Sequence, residues 1–360
     1  MEISSSPSSG ALAEQAALVE QPVSLRAPSR AHLIDRHGRS ITDLRLSITD
    51  RCNYRCVYCR TGNEGTQYTE LPIADYVRMV RIFVEMGIEK VRLTGGEPLL
   101  RSGLTELIRE LAGLRTVYGK PLDLAITTNG HLLATQAQQL KDAGLSRITV
   151  SMDAVDAETF ATITRVPGSF ERVMHGIQAA QRVGLGPVKV NCVVLRGFND
   201  DQIVSFARFS REHGVIVRFI EFMPLEEDRL WTPETVVPYS EVVARLQSLR
   251  PLVKLPATAA GETAVRYTFD DGIGEIGIIA PVSRAFCGAC SRIRLTSDGK
   301  IRTCLFSQSD HDLHGVMQRG GSDEDLAAFI EQTVAMKEAR HHIGEPGFLK
   351  PSRSMVHIGG

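Results

Sequence analysis

From residue 44 onward, short runs of apolar and β-branched residues alternate with longer stretches in which apolar positions recur every third or fourth residue. The first pattern is that of buried strands and the second that of helices with one apolar face. Six such pairs predict strands over residues 44–49, 90–94, 122–127, 147–152, 188–195 and 215–222. Helices are predicted between them, among others over 73–86, 132–143, 170–183 and 201–213. Gly87, Gly144, Gly184 and Gly214 follow directly, where a helix C-cap needs left-handed backbone. Regular strand–helix alternation builds a parallel sheet.

The unusual residues decide between an open sheet and a barrel. A cysteine loop follows the first predicted strand, GGEP the second, TTNG the third, SMDA the fourth and EFMP the sixth. In βα barrels the C-terminal ends of the strands carry the site. Six units rather than eight predict an α/β fold with a partial (βα)6 TIM-type barrel, open at one side. After residue 251 the pattern weakens, and short segments with glycine turns (DDGIGEIGII, LTSDGK) predict a small β-containing module that closes the barrel. The expected organisation is a disordered tail over 1–30, the barrel over 31–250, a C-terminal module over 251–340 that includes a helix at 322–339, and a tail over 341–360. The first thirty residues are rich in Ser, Ala and Pro but contain Glu2, Glu14 and Glu20, which argues against a transit peptide.

Composition narrows the function classes. The 360 residues are 43% apolar, enough for a sizeable core, and 41 basic against 42 acidic side chains leave a net charge of −1. No bulk basic field marks a nucleic-acid or membrane binder, so an anionic ligand must be met by local cations. No apolar run approaches the roughly 20 residues of a membrane span, and a soluble, cytoplasmic protein is expected. Seven cysteines is an odd number, and six fall into two tight groups. Metal ligation in a reducing compartment fits that pattern better than disulfides. Cys192, in the apolar run VKVNCVVL, reads as a buried structural thiol.

Cys52, Cys56 and Cys59 stand at Cys-x3-Cys-x2-Cys on one loop. Three thiolates hold three irons of a 4Fe-4S cubane and leave the fourth open, whereas a structural zinc would need a fourth ligand close by. Cys287, Cys290 and Cys304 again supply three sulfurs; the alternative there is a zinc ribbon completed by His311 or His314. Arg292 and Arg294, two apart on an extended segment, face the same way as a guanidinium pair suited to phosphate. Arg45, Arg92 and Lys189 lie on the first, second and fifth predicted strands, so five cations converge on one mouth and point to a polyanionic small molecule.

The loop Cys52, Cys56, Tyr58, Cys59 resembles the Cys-x3-Cys-x-aromatic-Cys motif of the radical S-adenosylmethionine (SAM) superfamily. Further stretches (KVRLTGGEPLLR, TTNG, ITVSMDA, VKVN, VRFIEFMPL, FCGACSRIRLTSDGKIRTCLF), spread over roughly residues 40–330, together with the terminal Gly359-Gly360, resemble the GTP 3',8-cyclases within it. The resemblance implies two 4Fe-4S clusters, each with three cysteines and one open iron, the first chelating SAM and yielding a 5'-deoxyadenosyl radical. It implies that Tyr58, Gly96, Glu97, Ser151 and Met223 line SAM, with Glu97 on the methionine amine. Arg45, Arg92, Thr127, Lys189, Arg292 and Arg294 would contact GTP, and Gly359 and Gly360 would enter the active site. Arg292 or Arg294 would help to quench the late radical or simply hold the nucleotide.

The implied reaction abstracts the ribose 3' hydrogen and joins that carbon to guanine C8. The product, 3',8-cyclo-7,8-dihydro-GTP, belongs to the first step of molybdenum-cofactor biosynthesis. A reductase or flavodoxin-type donor and a downstream pyranopterin monophosphate synthase are the implied partners, nucleic acid and membrane are not, and a homodimer is left open. Two other readings are a peptide-modifying radical SAM maturase, which would need a longer cysteine series, and a zinc-stabilised binding module, which would lack iron and sulfide.

Overall fold

Each of the six predicted strands forms within two residues of its expected bounds: β1 (Asp43–Ser47), β2 (Lys90–Thr94), β3 (Asp123–Thr128), β4 (Arg147–Ser151), β5 (Lys189–Val194) and β6 (Ile216–Glu221). They are seen in a computed structural model that describes residues 32–59, 68–226, 230–259 and 261–358. All six run parallel, in chain order across the sheet. Because strand side chains alternate between faces, Leu44, Leu46, Val91, Leu93, Leu124 and Ile126 point one way into a single apolar core. Their neighbours Arg45, Arg92, Thr127, Asn191 and Arg218 line a cavity on the other face. Parallel strands are ordinarily apolar on both faces; here the inner face is polar, and that is where a ligand is to be sought.

The apolar core is completed by α1 (Ile73–Glu85), α2 (Leu104–Gly113), α3 (Leu133–Asp142), α4 (Ala157–Thr164), α5 (Phe170–Arg182), α6 (Ile203–His213) and α7 (Tyr239–Gln247). On α1 the buried Tyr76, Met79, Val80 and Phe83 repeat at helical spacing and turn one stripe toward the sheet. Gly87, Gly144, Gly184 and Gly214 all have positive φ, as their capping positions require. Cys192 is buried in the core.

The C-terminal region contains the short strands that its glycine turns predict. These are β7 (Leu252–Lys254), β8 (Val265–Phe269), β9 (Glu275–Ile279), β10 (Arg292–Leu295), β11 (Lys300–Arg302) and β12 (His311–Asp312). They extend both edges of one twelve-stranded sheet, ordered β12-β11-β10-β1-β2-β3-β4-β5-β6-β9-β8-β7, which is not closed on itself. β10 lies parallel to β1 and β9 parallel to β6. Two helices follow, α8 (Leu313–Gln318) and α9 (Asp323–Ala335). The second starts within one residue of its predicted start, capped by Ser322, and ends four residues early, at Ala335.

Residues 341–358, expected as a tail, are held against the body. Arg353 grips Asp298 through both terminal nitrogens at 2.8 and 2.9 Å, reaches Asp310 at 2.6 Å and lies over the Tyr68 ring at 4.3 Å. It delivers a buried last turn, α10 (Met355–Ile358). The predicted N-terminal tail, Gly359 and Gly360 lie outside the described residues. Among the described residues no helix is long and apolar enough to cross a membrane.

Candidate functional site

The first cysteine loop leaves β1 and is fastened from three sides. The Gly96 amide donates to the Thr49 carbonyl at 2.8 Å and the Glu97 amide to the Arg51 carbonyl at 2.7 Å. A Cβ on Gly95, whose φ is +147°, would stand 2.3 Å from the Thr49 oxygen, and one on Gly96 would stand 2.2 Å from the Arg51 oxygen. The close approach that these glycines permit is therefore to the root of the cysteine loop itself. Asn129 Nδ2 donates to Asn53 Oδ1 at 2.7 Å from the loop after β3. From the third side, the Arg55 and Val57 amides donate to carbonyls at the end of α4.

Glu97 is fully buried, and its carboxylate accepts from the Leu99 amide (2.9 Å), the Thr128 hydroxyl (2.7 Å) and the Asn129 amide (2.7 Å). Burial pushes its carboxyl up to about 7, against the pull of these bonds. It thus ties the end of β2 to the end of β3.

Cys52, Cys56 and Cys59 are half-buried on this loop, with the Tyr54 amide on Cys52 Sγ at 3.4 Å. Burial, Asp153 and the two neighbouring thiols push the Cys56 thiol well above its usual range, and burial pushes Cys52 up to about 11. Three sulfur donors on one loop are the donor type that an iron–sulfur cluster takes. Next to them the Tyr58 hydroxyl donates to Asp153 Oδ2 at 2.7 Å, whose other oxygen accepts the Val193 amide at 2.8 Å.

One cavity spans the inner face. Tyr58, Ser151 and Met223 line it, as do Cys287, Cys290 and Cys304, with Arg45, Arg92, Thr127, Arg292 and Arg294. Cys52, Cys56, Cys59, Gly96, Glu97 and Lys189 are not among its lining residues.

The cations form a row set by strand register, with Arg45 beside Arg92 on β2 and beside Arg294 on β10. Arg92 Nη1 donates to the hydroxyls of Thr149 (3.0 Å) and Thr127 (3.3 Å), while its buried Nε has no hydrogen-bond partner among the described residues. Arg218, which the sequence reading missed, donates to Asn191 Oδ1 at 2.9 Å and to Thr149 Oγ1 at 3.2 Å. Burial and repulsion from Arg45 lower Arg218 to about 10 and Arg294 to about 9. Lys189, near the opposite end of β5, is lowered to about 8 by burial and by Arg218. Cations held this close, with few carboxylates to balance them, form a site pre-set for a polyanion.

At the other wall Cys287 begins a short 3₁₀ turn, Cys290 ends it, and Cys304 follows β11. Arg292 places Nη2 3.5 Å from Cys290 Sγ and lies over the Phe286 ring at 5.0 Å. Burial raises the Cys290 thiol, but Arg292 and Lys337 outweigh it and bring it down to about 7. The zinc alternative fares poorly: His314 is 3.0 Å from Asp75 on α1, His311 lies in β12 paired with β11, and neither lines the cavity. His341 does line it, its ring 5.3 Å from Phe306. Lys337 and His341 carry no motif in the sequence. Arg218 did have a signal, standing on the inward face of β6 two residues before Ile220. Arg294 Nη1 donates to the Ile358 carbonyl at 3.0 Å, so the cation row holds the last described residue of the chain.

Residues 46–210 match the model of the radical SAM superfamily, and residues 215–343 that of Molybdenum Cofactor Synthesis C. The chain is 39% identical to a GTP 3',8-cyclase of Syntrophomonas wolfei, over 91% of this chain and 100% of that one. It is 43% identical to one of Corynebacterium glutamicum, over 91% and 89% respectively. In overall fold it is similar to Streptococcus suis SuiB solved with S-adenosylmethionine, with a TM-score of 0.58 at 13% identity, covering 88% of this chain and 78% of that one. By these matches the chain belongs to the GTP 3',8-cyclase family of the radical SAM superfamily.

Proposed function

We infer that the protein converts GTP to 3',8-cyclo-7,8-dihydro-GTP, the first step of molybdenum-cofactor biosynthesis. The observation that supports this most is a single cavity joining Tyr58 of the first cysteine loop, the second cysteine triad and a row of arginines. Cys52, Cys56 and Cys59 would hold one 4Fe-4S cluster, and Cys287, Cys290 and Cys304 the other. With SAM bound, the first cluster supplies a 5'-deoxyadenosyl radical at the cavity.

The chain's own residues do the rest by positioning. Tyr58, Gly96, Glu97, Ser151 and Met223 would hold SAM, Gly96 and Glu97 in part by fixing the cysteine loop. Arg45, Arg92, Arg218 and Lys189 would bind the triphosphate, with Thr127 orienting Arg92. Arg292 and Arg294 would hold the nucleotide toward the second triad, where the guanine edge meets the cysteine wall. A substrate fixed at both ends has its ribose oriented between them, and orientation alone is worth several kcal/mol of a barrier. Gly359 and Gly360, outside the described residues, would enter the same site on this reading. SAM would be held by residues before 250, and the nucleotide by residues on both sides of that point. A reductase or flavodoxin-type donor would supply the electron in the cytoplasm, and pyranopterin monophosphate synthase would receive the product.

The test is anaerobic incubation with SAM, a reductant and each nucleoside triphosphate in turn, with mass analysis of the nucleotide. Cyclised product from GTP and not from ATP, CTP or UTP is expected; no cyclised nucleotide from GTP would sink the reading. A second expected outcome concerns stability: Gly96→Ala drives a Cβ into the Arg51 carbonyl and should cost about 2 to 3 kcal/mol. Thermal unfolding would show it as a melting temperature lowered by several degrees.

A further inference from the structure

Lys337 follows α9 and is only 2% exposed, yet its side chain borders the cavity. Its ammonium donates to the Thr303 carbonyl, one residue before Cys304. Among the described residues no carboxylate lies within ion-pair distance of it; the adjacent Glu338 carboxylate accepts from the Thr303 hydroxyl at 2.7 Å.

The segment is held firmly. Arg39, itself paired with Asp35 at 2.5 Å, donates to the Cys287 carbonyl (2.8 Å), the Ala339 carbonyl (2.8 Å) and the Glu338 carbonyl (2.6 Å). One guanidinium therefore ties the residues after Lys337 to the second cysteine turn, and Lys337 cannot swing away without breaking that tie.

A buried ammonium with no counter-charge is strongly unfavourable. The Lys337 ammonium is fixed on the residue before Cys304, and Cys290 and Cys304 line the same cavity as its side chain, so sulfurs ligated there would supply the counter-charge. Arg292 also reaches Cys290 Sγ, at 3.5 Å, but it stacks on Phe286 as well, and Arg294 holds the Ile358 carbonyl, so each has a further partner.

We propose that Lys337 is the fixed counter-ion of the second iron–sulfur cluster and sets its reduction potential, which rests on the reading that Cys287, Cys290 and Cys304 hold that cluster. A nearby buried cation favours the more negative, reduced member of the one-electron couple, so it raises the midpoint potential. Lys337 is a positioning residue in this sense: it acts through the cluster and need not touch the nucleotide.

The experiment is a redox titration followed by electron paramagnetic resonance on the reconstituted holoenzyme, comparing the wild type with Lys337→Met and Lys337→Arg. Lys337→Met should move the second cluster's midpoint to more negative potential and leave the first unmoved, while Lys337→Arg should stay close to the wild type. Loss of the second cluster in Lys337→Met but not in Lys337→Arg would overturn the proposal in favour of a structural tie through the Thr303 carbonyl. An unmoved midpoint, an equal shift of both clusters, or loss of the second cluster in both variants would overturn it. An unmoved midpoint with a raised KM for GTP would overturn it in favour of a nucleotide contact. If the wild type itself holds about four irons per chain instead of about eight, the underlying reading fails and the inference with it, an outcome visible before any variant is made.

Discussion

Replacing Cys56 with alanine should abolish 5'-deoxyadenosine formation from SAM and halve the iron content, from about eight to about four per chain. The loop supplies three sulfurs, and all three would be ligands, so the loss of one leaves two irons of the cubane without protein support. Among the described residues the neighbouring Tyr58 offers no replacement, since its hydroxyl is engaged with Asp153. The comparison is Cys192→Ala, which removes a thiol buried in the core beyond the loop and should leave radical formation intact. Chromatography of the nucleoside with iron and sulfide analysis reads both variants, and SAM cleavage at the wild-type rate by Cys56→Ala would remove the assignment.

The double variant Arg292→Ala, Arg294→Ala should lower turnover of GTP by roughly 10²-fold to 10³-fold, about 3 to 4 kcal/mol of transition-state stabilisation. Its two halves do different things. Arg292 stacks on Phe286 beside Cys290, so its loss opens the wall where the base would sit. Arg294 loses its charge from the row and also releases the Ile358 carbonyl, and with it the hold on the chain's end. Lysine at 292 should not restore activity fully, because an ammonium neither stacks nor forks as a guanidinium does. SAM cleavage without cyclisation should persist in the double variant, and unchanged kinetics would dismiss both arginines from the site.

The six barrel strands could be read from the chain because each is a run of alternating or continuous apolar residues, five of them ended by a functional turn, and such signals are local. The four glycine caps could be read for the same reason, since a positive φ is demanded by the helix that each one ends. What escaped was pairing between distant segments. Nothing in EIGII or RIRL says that one joins β6 and the other β1, because strand partners carry no mark of which edge they will take. The same limit hid Lys337 and His341, single residues made meaningful only by the packing of their segment on the second cysteine turn. Arg353 escaped for a related reason: an arginine in a polar stretch looks solvated until Asp298, Asp310 and Tyr68 are found around it. GGEP was half legible, since its glycines do mark a close approach, but to the chain's own backbone.

The sheet order has a consequence for synthesis. While residues up to 250 are emerging from the ribosome, β1 and β6 are both margins, each with a row of amides and carbonyls that nothing yet satisfies, and each is the kind of ribbon on which another nascent chain can assemble. Those rows are filled only when β9 and β10 arrive, at residues 275–279 and 292–295. The segment that brings the second cysteine triad is thus also the one that seals the first-made half against aggregation. A chain stopped at residue 250 should accumulate as insoluble material even though every residue of the first cysteine loop is present.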